Sequence, residues 1–101
     1  MIKVFVKKDN NIIEEIKLEG HAMYDDYGKD IVCSAVSTAL NVTVNACISF
    51  GGGSIKYRKG NRFILTNIEK DNITNTLFDN FYRTLKEIES AYKDNIKIKE
   101  D

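Results

Sequence analysis

The sequence predicts an α+β fold, a two-layer sandwich in which two helices cover an antiparallel-rich sheet. Three observations support this prediction. Apolar residues alternate with polar ones near both ends of the chain, an uncharged run occupies residues 31–50, and a one-sided apolar stripe follows in the second half. Together they give the element order ββαββαβ, which is typical of helices packed on one face of a sheet.

The first two strands are predicted to form a hairpin. Apolar residues alternate with charged or aromatic ones over residues 2–7, with the period of two that a half-buried strand requires. The turn cluster Asp9-Asn10-Asn11 separates this strand from a second one at residues 12–18. Over residues 19–29 the alternation stops, and we expect a loop there.

The first helix is predicted at residues 31–50. Asp30 is a suitable N-cap, and the run contains no glycine or proline until Gly51-Gly52-Gly53 ends it. Because small and apolar residues occur nearly all round this helix, we expect it to be buried. The three glycines follow a helix and precede a strand, the reverse of a phosphate-binding loop, so we interpret them as a C-cap and turn.

A second hairpin and a second helix follow. Residues 54–58 and 62–68 are predicted strands, and Asp71 is the predicted cap of an amphipathic helix. The apolar stripe of that helix comprises Ile73, Leu77, Phe81, Leu85, Ile88 and Tyr92. Ile96 and Ile98 alternate with lysines in a short last strand.

The second hairpin is basic. Its cationic residues are Lys56, Arg58, Lys59 and Arg62. Such a cluster is most often a solvated edge that prevents strand pairing, and RNA contact is the alternative interpretation.

Composition and length are those of one folded domain, which we predict to span residues 1–101. The chain is 43% hydrophobic and 30% charged, which excludes a disordered protein and suits a single core. The opening stretch is too short and too charged for a signal peptide, so we expect a cytoplasmic protein. The formal net charge is zero, and we therefore expect neither DNA nor a membrane as a partner.

Two residues could carry covalent chemistry: the single histidine, His21, on the predicted loop, and Cys33 in the first turn of the first helix. A thiol in such a position faces unpaired N–H groups and the positive end of the helix dipole, which favour a thiolate, as would a nearby imidazolium. Cys47 lies fourteen residues further on, roughly 21 Å along a helix, too far for a disulfide. We interpret Cys47 as a core residue, and by composition alone a lone cysteine on such a helix, Cys33 included, is more often a packed hydrophobe than a nucleophile.

A longer motif surrounds these two residues. Residues 20–37 read GHAMYDDYGKDIVCSAVS. This segment resembles the signature of the ribosomal-processing cysteine proteases: a Gly-His-Ala element, a glycine-containing loop, then Asp-Ile-Val-Cys, a small residue and Ala-Val-Ser. Ser34 is a small departure, since alanine is also usual at that position. The element order and the length of the chain resemble the same family.

The resemblance implies a function and a set of partners. It implies a catalytic dyad of Cys33 and His21, a homodimer, and a ribosomal protein precursor as the substrate. The enzyme would remove an N-terminal extension from a large-subunit ribosomal protein by cutting after a short hydrophobic motif that ends in an aromatic residue. We propose no cofactor and no metal site, because Asp25-Asp26 lacks both alternating ligands and a histidine or cysteine at metal-binding spacing.

Two neighbouring residues are candidates for supporting roles. Asp30, as the helix cap, would also fix the backbone of Cys33. Ser37 lies one turn beyond Cys33 and could orient the dyad or the substrate. Alternatively, a buried Ser37 would bond to a carbonyl of its own helix.

The predicted loop contains the remaining candidates. Gly20 and Gly28 would allow the loop to move over a bound peptide, or would only relieve turn strain. Tyr24 and Tyr27, together with Met23, would line a groove for a hydrophobic peptide.

We therefore predict a cysteine endopeptidase that processes a ribosomal protein. Two alternatives stay open on the sequence. One is a noncatalytic ribosome-associated binding module, in which the basic hairpin makes a weak ribosome contact and Cys33 is merely packed. The other is a cysteine-dependent hydrolase or acyl transferase that acts on a small molecule.

Overall fold

The alternating segments at both ends of the chain form one sheet. The computed structural model describes residues 1–20, 31–50 and 62–101. The elements are β1 Ile2–Asp9, β2 Ile12–Gly20, α1 Ile31–Ser49, β3 Arg62–Thr66, α2 Asn72–Ala91 and β4 Ile96–Glu100. The strand order is β3-β2-β1-β4. β2 is antiparallel to β1 and to β3, while β4 is parallel to β1. The predicted α+β fold is confirmed, and the strand predicted at residues 54–58 lies outside the described residues.

The core lies between the two helices and one face of the sheet. Its side chains from the sheet are Ile2, Val4, Val6, Ile13, Ile16, Leu18, Leu65 and Ile96. Those from the helices are Val32, Val36, Leu40, Val44, Cys47, Phe78, Phe81 and Leu85. Because side chains alternate along a strand, the residues between these apolar ones point away from the helices.

Helix α1 is buried on one side only, so the expectation of burial nearly all round was wrong. Its buried residues are Val32, Val36, Leu40, Thr43, Val44 and Cys47. Val42 is 62% exposed and Ile48 is 59% exposed. A two-layer fold places the sheet on one side of a helix and the second helix beside it, which leaves the outer side uncovered. The length and composition of α1 would also allow it to cross a membrane, but its inner side packs into the core.

Helix α2 has the predicted cap, and its predicted stripe packs against the core except at its first residue, Ile73. Asp71 accepts a hydrogen bond from the backbone N–H of Thr74 at 2.7 Å, which confirms the cap. The buried residues of the helix are Thr74, Phe78, Phe81 and Leu85. Ile73, which belonged to the predicted stripe, is 46% exposed. Leu77, Ile88 and Tyr92 are partly buried against the core, and packing against α1, β2 and β4 buries Thr74 in place of Ile73.

The last strand is tied to α2 by side chains. Glu89 accepts a hydrogen bond from the Ile98 backbone N–H at 2.8 Å, and the Tyr82 hydroxyl donates to Glu100 at 2.7 Å. Lys8 forms an ion pair with Glu100 at 2.8 Å. Partial burial, reinforced by the Glu100 carboxylate, raises the pKa of Tyr82 to about 12. The predicted last strand is confirmed.

A buried asparagine joins the end of β3 to the first hairpin. β3 ends at Thr66, two residues earlier than predicted, and Asn67 is 1% exposed. Its side-chain amide donates to the Ile13 carbonyl at 3.0 Å and to Asn75 Oδ1 at 2.8 Å. Its side-chain oxygen accepts from the Lys70 backbone N–H at 2.9 Å. The strand therefore ends just before Asn67, whose buried side chain makes the hydrogen bonds that hold the connection to α2 in place.

We expect Asn67→Ala to destabilise the protein by about 2–4 kcal/mol, because it leaves a buried carbonyl and a backbone N–H without their partner. Urea unfolding followed by circular dichroism measures this change. Asn45→Ala is the matched control, since Asn45 is exposed on α1 and its loss should change stability by about 0.5 kcal/mol or less. Equal effects of the two substitutions would contradict the role of Asn67.

Candidate active site

Cys33 lies at the amino-terminal end of a helix, as the sequence predicted. Helix α1 begins at Ile31, so Cys33 is its third residue and belongs to the first turn. The first-turn N–H groups have no partner within the helix, and they make this end of the dipole positive. Cys33 is partly exposed and also packs against the core. The residue is therefore held in place by packing while part of it reaches solvent, as a nucleophile requires.

Cys47 occupies the opposite kind of environment. It forms no disulfide with Cys33. Cys47 is only 2% exposed. Burial raises the pKa of its thiol, and the negative charge of Asp71 adds to the increase. A buried and poorly ionised thiol is a core residue, so Cys47 is no candidate nucleophile.

Ser37 shares a polar flank of α1 with Cys33. Ser34, Ser37 and Asn41 are all exposed, and steps of three or four residues place them on one flank of the helix with Cys33. The alternative of a buried serine bonded to its own helix does not describe Ser37. That bonding pattern is found instead at Thr43, whose hydroxyl donates to the Ala39 carbonyl at 2.8 Å.

Gly20 is the last residue of β2 and not part of a loop, so the prediction that the loop begins at residue 19 was wrong. The ladder continues because Gly20 is paired with Ile2 and Glu19 with Lys3. Gly20 has a positive φ of 90°, and a Cβ at this position would clash with the carbonyl oxygen of Met1. A glycine is required here on steric grounds. Gly20 thus sets the direction in which the chain leaves β2, immediately before His21.

We expect Gly20→Ala to lower the free energy of unfolding by about 1–3 kcal/mol, because alanine is strained at this positive φ. Thermal and urea unfolding measure the effect, and peptide cleavage is measured below the transition temperature. If Gly20 served only to let a loop move, the substitution would reduce cleavage and leave stability unchanged. That pattern would contradict the structural role.

The remaining predicted site residues lie outside the described residues. They are His21, Tyr24, Tyr27, Gly28 and Asp30, together with Met23. Their roles stay predictions. The structure does place the two ends of the segment that carries them: His21 directly follows the last residue of β2, and Cys33 lies two residues after the start of α1.

Comparisons with known proteins decide the family. A sequence model described as cysteine protease Prp matches residues 1–97. The chain belongs to the Prp cysteine protease family. The ribosomal processing cysteine protease Prp of Staphylococcus aureus (strain Mu50 / ATCC 700699) is 29% identical over 94 residues, which cover 89% of each chain.

Solved structures agree with this family. The crystal structure of an essential ribosomal processing protease Prp from S. aureus, in complex with a covalently linked product peptide, is 26% identical with a TM-score of 0.91 over 100% of both chains. SMU.848 from Streptococcus mutans is 25% identical with a TM-score of 0.88, over 99% of this chain and 93% of that protein.

Membership of the Prp family makes this chain an enzyme, a cysteine protease. The resemblance in residues 20–37 is thereby confirmed. The noncatalytic module and the small-molecule hydrolase are set aside, because neither describes a cysteine protease.

Proposed function

We propose that this Prp protease removes the N-terminal extension of a large-subunit ribosomal protein, with Cys33 as nucleophile and His21 as base. The observation that carries the proposal is the position of Cys33, partly exposed in the first turn of α1, while Cys47 is buried in the core. The ribosomal processing named for the S. aureus relative supports the substrate class.

The proposed reaction proceeds through an acyl-enzyme. The Cys33 thiolate attacks the scissile carbonyl carbon, and His21 protonates the leaving amine as the peptide C–N bond breaks. His21 then removes a proton from water, which hydrolyses the thioester and regenerates the thiol. Backbone N–H groups at the start of α1 would stabilise the oxyanion. The product peptide covalently linked in the S. aureus Prp structure accords with a covalent intermediate.

Neighbouring residues are given supporting roles in this proposal. Ser37, exposed one turn beyond Cys33, would orient the dyad or contact the substrate. Asp30 would cap α1 and fix the Cys33 backbone. Tyr24 and Tyr27 would contact the hydrophobic side chains of the substrate, and Gly28 would permit loop movement.

The substrate is tested by digestion of a large-subunit ribosomal protein that carries its N-terminal extension. We expect one cut, after the aromatic residue of the hydrophobic motif, identified by the mass of the new N-terminus. The matched control replaces that aromatic residue with glycine and should resist cleavage. Equal cleavage of both proteins, or cleavage at scattered positions, would contradict the proposed specificity.

A second part of the proposal is a homodimer formed through the outer surface of the helices. A shallow cavity of about 290 Å³ lies there between α1 and α2, and we call it the helix groove. Its lining residues are Ala39, Val42, Thr43 and Ala46 of α1 with Leu77, Asn80, Phe81 and Thr84 of α2. None of these side chains is charged, and Val42 is 62% exposed.

A second copy of the chain is the occupant that fits the helix groove best. In a two-fold dimer the same surface meets itself, so any charge would face its own copy. Helix α1 has no charged residue along its whole length, which removes that repulsion. Ala39, Val42 and Ala46 lie roughly 170° around the helix from the Cys33 flank, so pairing through the groove leaves the active site open.

Analytical ultracentrifugation tests the dimer. Val42→Asp should shift the protein from dimer to monomer, because it places a charge in the buried centre of the interface. Asn45→Asp adds the same charge to an exposed position of α1 outside the groove, and it should leave the dimer intact. A dimer that survives Val42→Asp would exclude the helix groove as the interface.

A further inference from the structure

Among residues 1–20, 31–50 and 62–101, no helix or strand covers the face of the sheet opposite the two helices, and this face is predominantly basic. We call it the open sheet face. Its residues are Lys3, Phe5 and Lys7 of β1, Glu15, Lys17 and Glu19 of β2, Arg62, Ile64 and Thr66 of β3, and Lys97 and Lys99 of β4. This assignment follows from the alternation of the strands and from their register, because each of these residues flanks a position that faces the core.

Positive charge is concentrated on the open sheet face, although the protein as a whole is neutral. Six of its side chains are cationic and two are carboxylates, and Asp101 adds a third carboxylate at the end of β4. The face therefore carries a formal charge of +3 in a chain whose net charge is zero. A local excess of this kind attracts polyanions even where the whole molecule does not.

Most of these cations are not neutralised within the described part of the chain. Arg62 is paired with Glu19 at 3.2 Å. Lys3, Lys7, Lys97 and Lys99 form no ion pair with another residue of the ranges 1–20, 31–50 and 62–101. Lys3 and Lys97 are direct cross-strand neighbours, an arrangement of like charges that disfavours pairing, while the neighbour of Lys3 on its other side is Glu19.

An aromatic ring lies at the centre of this basic face. Phe5 is half-buried, and the Lys17 ammonium lies 4.9 Å from the centroid of its ring. Lys99 is the direct neighbour of Phe5 on the other side. Phe5, Lys7, Lys17 and Lys99 share a shallow cavity of about 390 Å³ with three acidic residues, Glu15, Glu100 and Asp101. A ring flanked by cations on a sheet surface suits a stacked base with phosphates on either side.

We propose that the open sheet face binds single-stranded RNA. Phe5 stacks on a base, and Lys3, Lys97 and Lys99 contact phosphates along the strand. The choice of RNA over DNA rests on the proposed function, because a protease that acts on ribosomal proteins meets its substrate among ribosomal components. Of the basic hairpin predicted from the sequence, Arg62 belongs to this face, where it is paired with Glu19; Lys56, Arg58 and Lys59 lie outside the described residues and take no part in this proposal.

The apolar residues favour RNA over an anionic membrane. Membrane-surface binding requires exposed apolar side chains that enter the lipid beside the cations. The large apolar residues most exposed in the described ranges are Met1, Ile31, Val42, Ile48, Phe50, Ile68 and Ile73. Two of them lie at the margin of the open sheet face: Met1 directly precedes β1, and Ile68 lines a shallow cavity with Lys7, Glu15 and Thr66. Apolar side chains at the margin alone offer little area to enter the lipid.

Fluorescence anisotropy with a labelled uridine-rich RNA of twelve nucleotides tests the proposal. Three to four phosphate contacts should make log K fall against log salt concentration with a slope of about −2 to −3. The triple substitution Lys3→Gln, Lys97→Gln and Lys99→Gln should weaken binding at least ~10-fold and reduce this slope. Phe5→Leu should weaken it roughly 5- to 100-fold with little change in slope, because it removes stacking and keeps an apolar side chain.

The matched control removes the same charge from the other side of the molecule. Arg83→Gln, Lys86→Gln and Lys93→Gln alter three exposed cations on or just after α2 and should change RNA affinity less than ~2-fold. Equal weakening by both triple variants would overturn the assignment to the open sheet face. Equal affinity for DNA of the same sequence would overturn the choice of RNA, and binding to phosphatidylserine vesicles without RNA binding would overturn the proposal in favour of a membrane.

Peptide cleavage separates this proposal from the proposed function. The Lys3, Lys97 and Lys99 variant should cleave a short peptide at the wild-type rate, because these residues lie on the face of the sheet away from α1. The Cys33→Ala protein should lose cleavage and still bind RNA, which would show that the RNA-binding surface does not depend on the catalytic cysteine. The melting temperature of each variant shows that the comparison is made between folded proteins.

Discussion

Cys33→Ala and His21→Ala are each expected to lower the rate of peptide cleavage by at least ~10³-fold. In the proposed dyad the two residues act as a unit, so loss of either would prevent formation of the acyl-enzyme. The double variant should therefore be no slower than the slower single variant. Initial rates on a fluorogenic peptide that contains the hydrophobic motif measure the effect, and mass spectrometry of a stalled reaction detects the thioester on Cys33.

Cys47→Ala is the matched control for the loss of a thiol. It removes a buried sulfur atom from the same helix, and it should retain cleavage at temperatures where the protein is folded. Circular dichroism of each variant separates loss of chemistry from loss of structure. Cleavage by the Cys33→Ala protein at the wild-type rate would show that Cys33 is not the nucleophile.

The second large effect is expected in the alkylation of the two thiols. At about pH 6.5 iodoacetamide should modify Cys33 at least ~100-fold faster than Cys47. Cys47 is buried, and its pKa is raised, so at any given pH a smaller fraction of it is thiolate than in a free cysteine. Cys33 is partly exposed at the positive end of α1. Mass-spectrometric labelling rates measure both thiols in one experiment.

The pH dependence of this labelling tests the partner of Cys33. A neighbouring imidazolium favours the thiolate, so His21→Ala should move the labelling profile of Cys33 to higher pH. The profile of Cys47 should not move, and in urea both thiols should react alike. Coincident Cys33 profiles in the two proteins would show that His21 and Cys33 are not coupled in the resting enzyme. Repetition with an uncleavable peptide that leaves the thiol accessible would then show whether the peptide brings them together.

Local features of the fold were predictable because they depend on few neighbouring residues. The Asp71 cap, the start of α1 at Ile31 and the position of Cys33 in its first turn all follow from the preferences of adjacent residues. The motif at residues 20–37 also identified the family, which the comparisons confirm. The roles of His21 and of its neighbours stay predictions, because they depend on contacts beyond the described residues.

Which residues are buried, and which charged residues are neighbours on the surface, depends on contacts between residues that are distant in the sequence. Ile73 and Thr74 both fit the helical period, and packing of α2 against α1 and the sheet buried Thr74 while Ile73 stayed exposed. Gly20 continues β2 because Ile2 is its partner, and Asn67 is buried because the Ile13 carbonyl accepts from it. Likewise, Lys3 and Lys97 became neighbours only when β4 paired with β1. The family and the elements of the described residues could be predicted from the sequence, since they depend on a contiguous motif and on short-range preferences. Which faces are buried became known only from the tertiary structure. A face is buried when a second element packs against it, and that element is distant in the sequence.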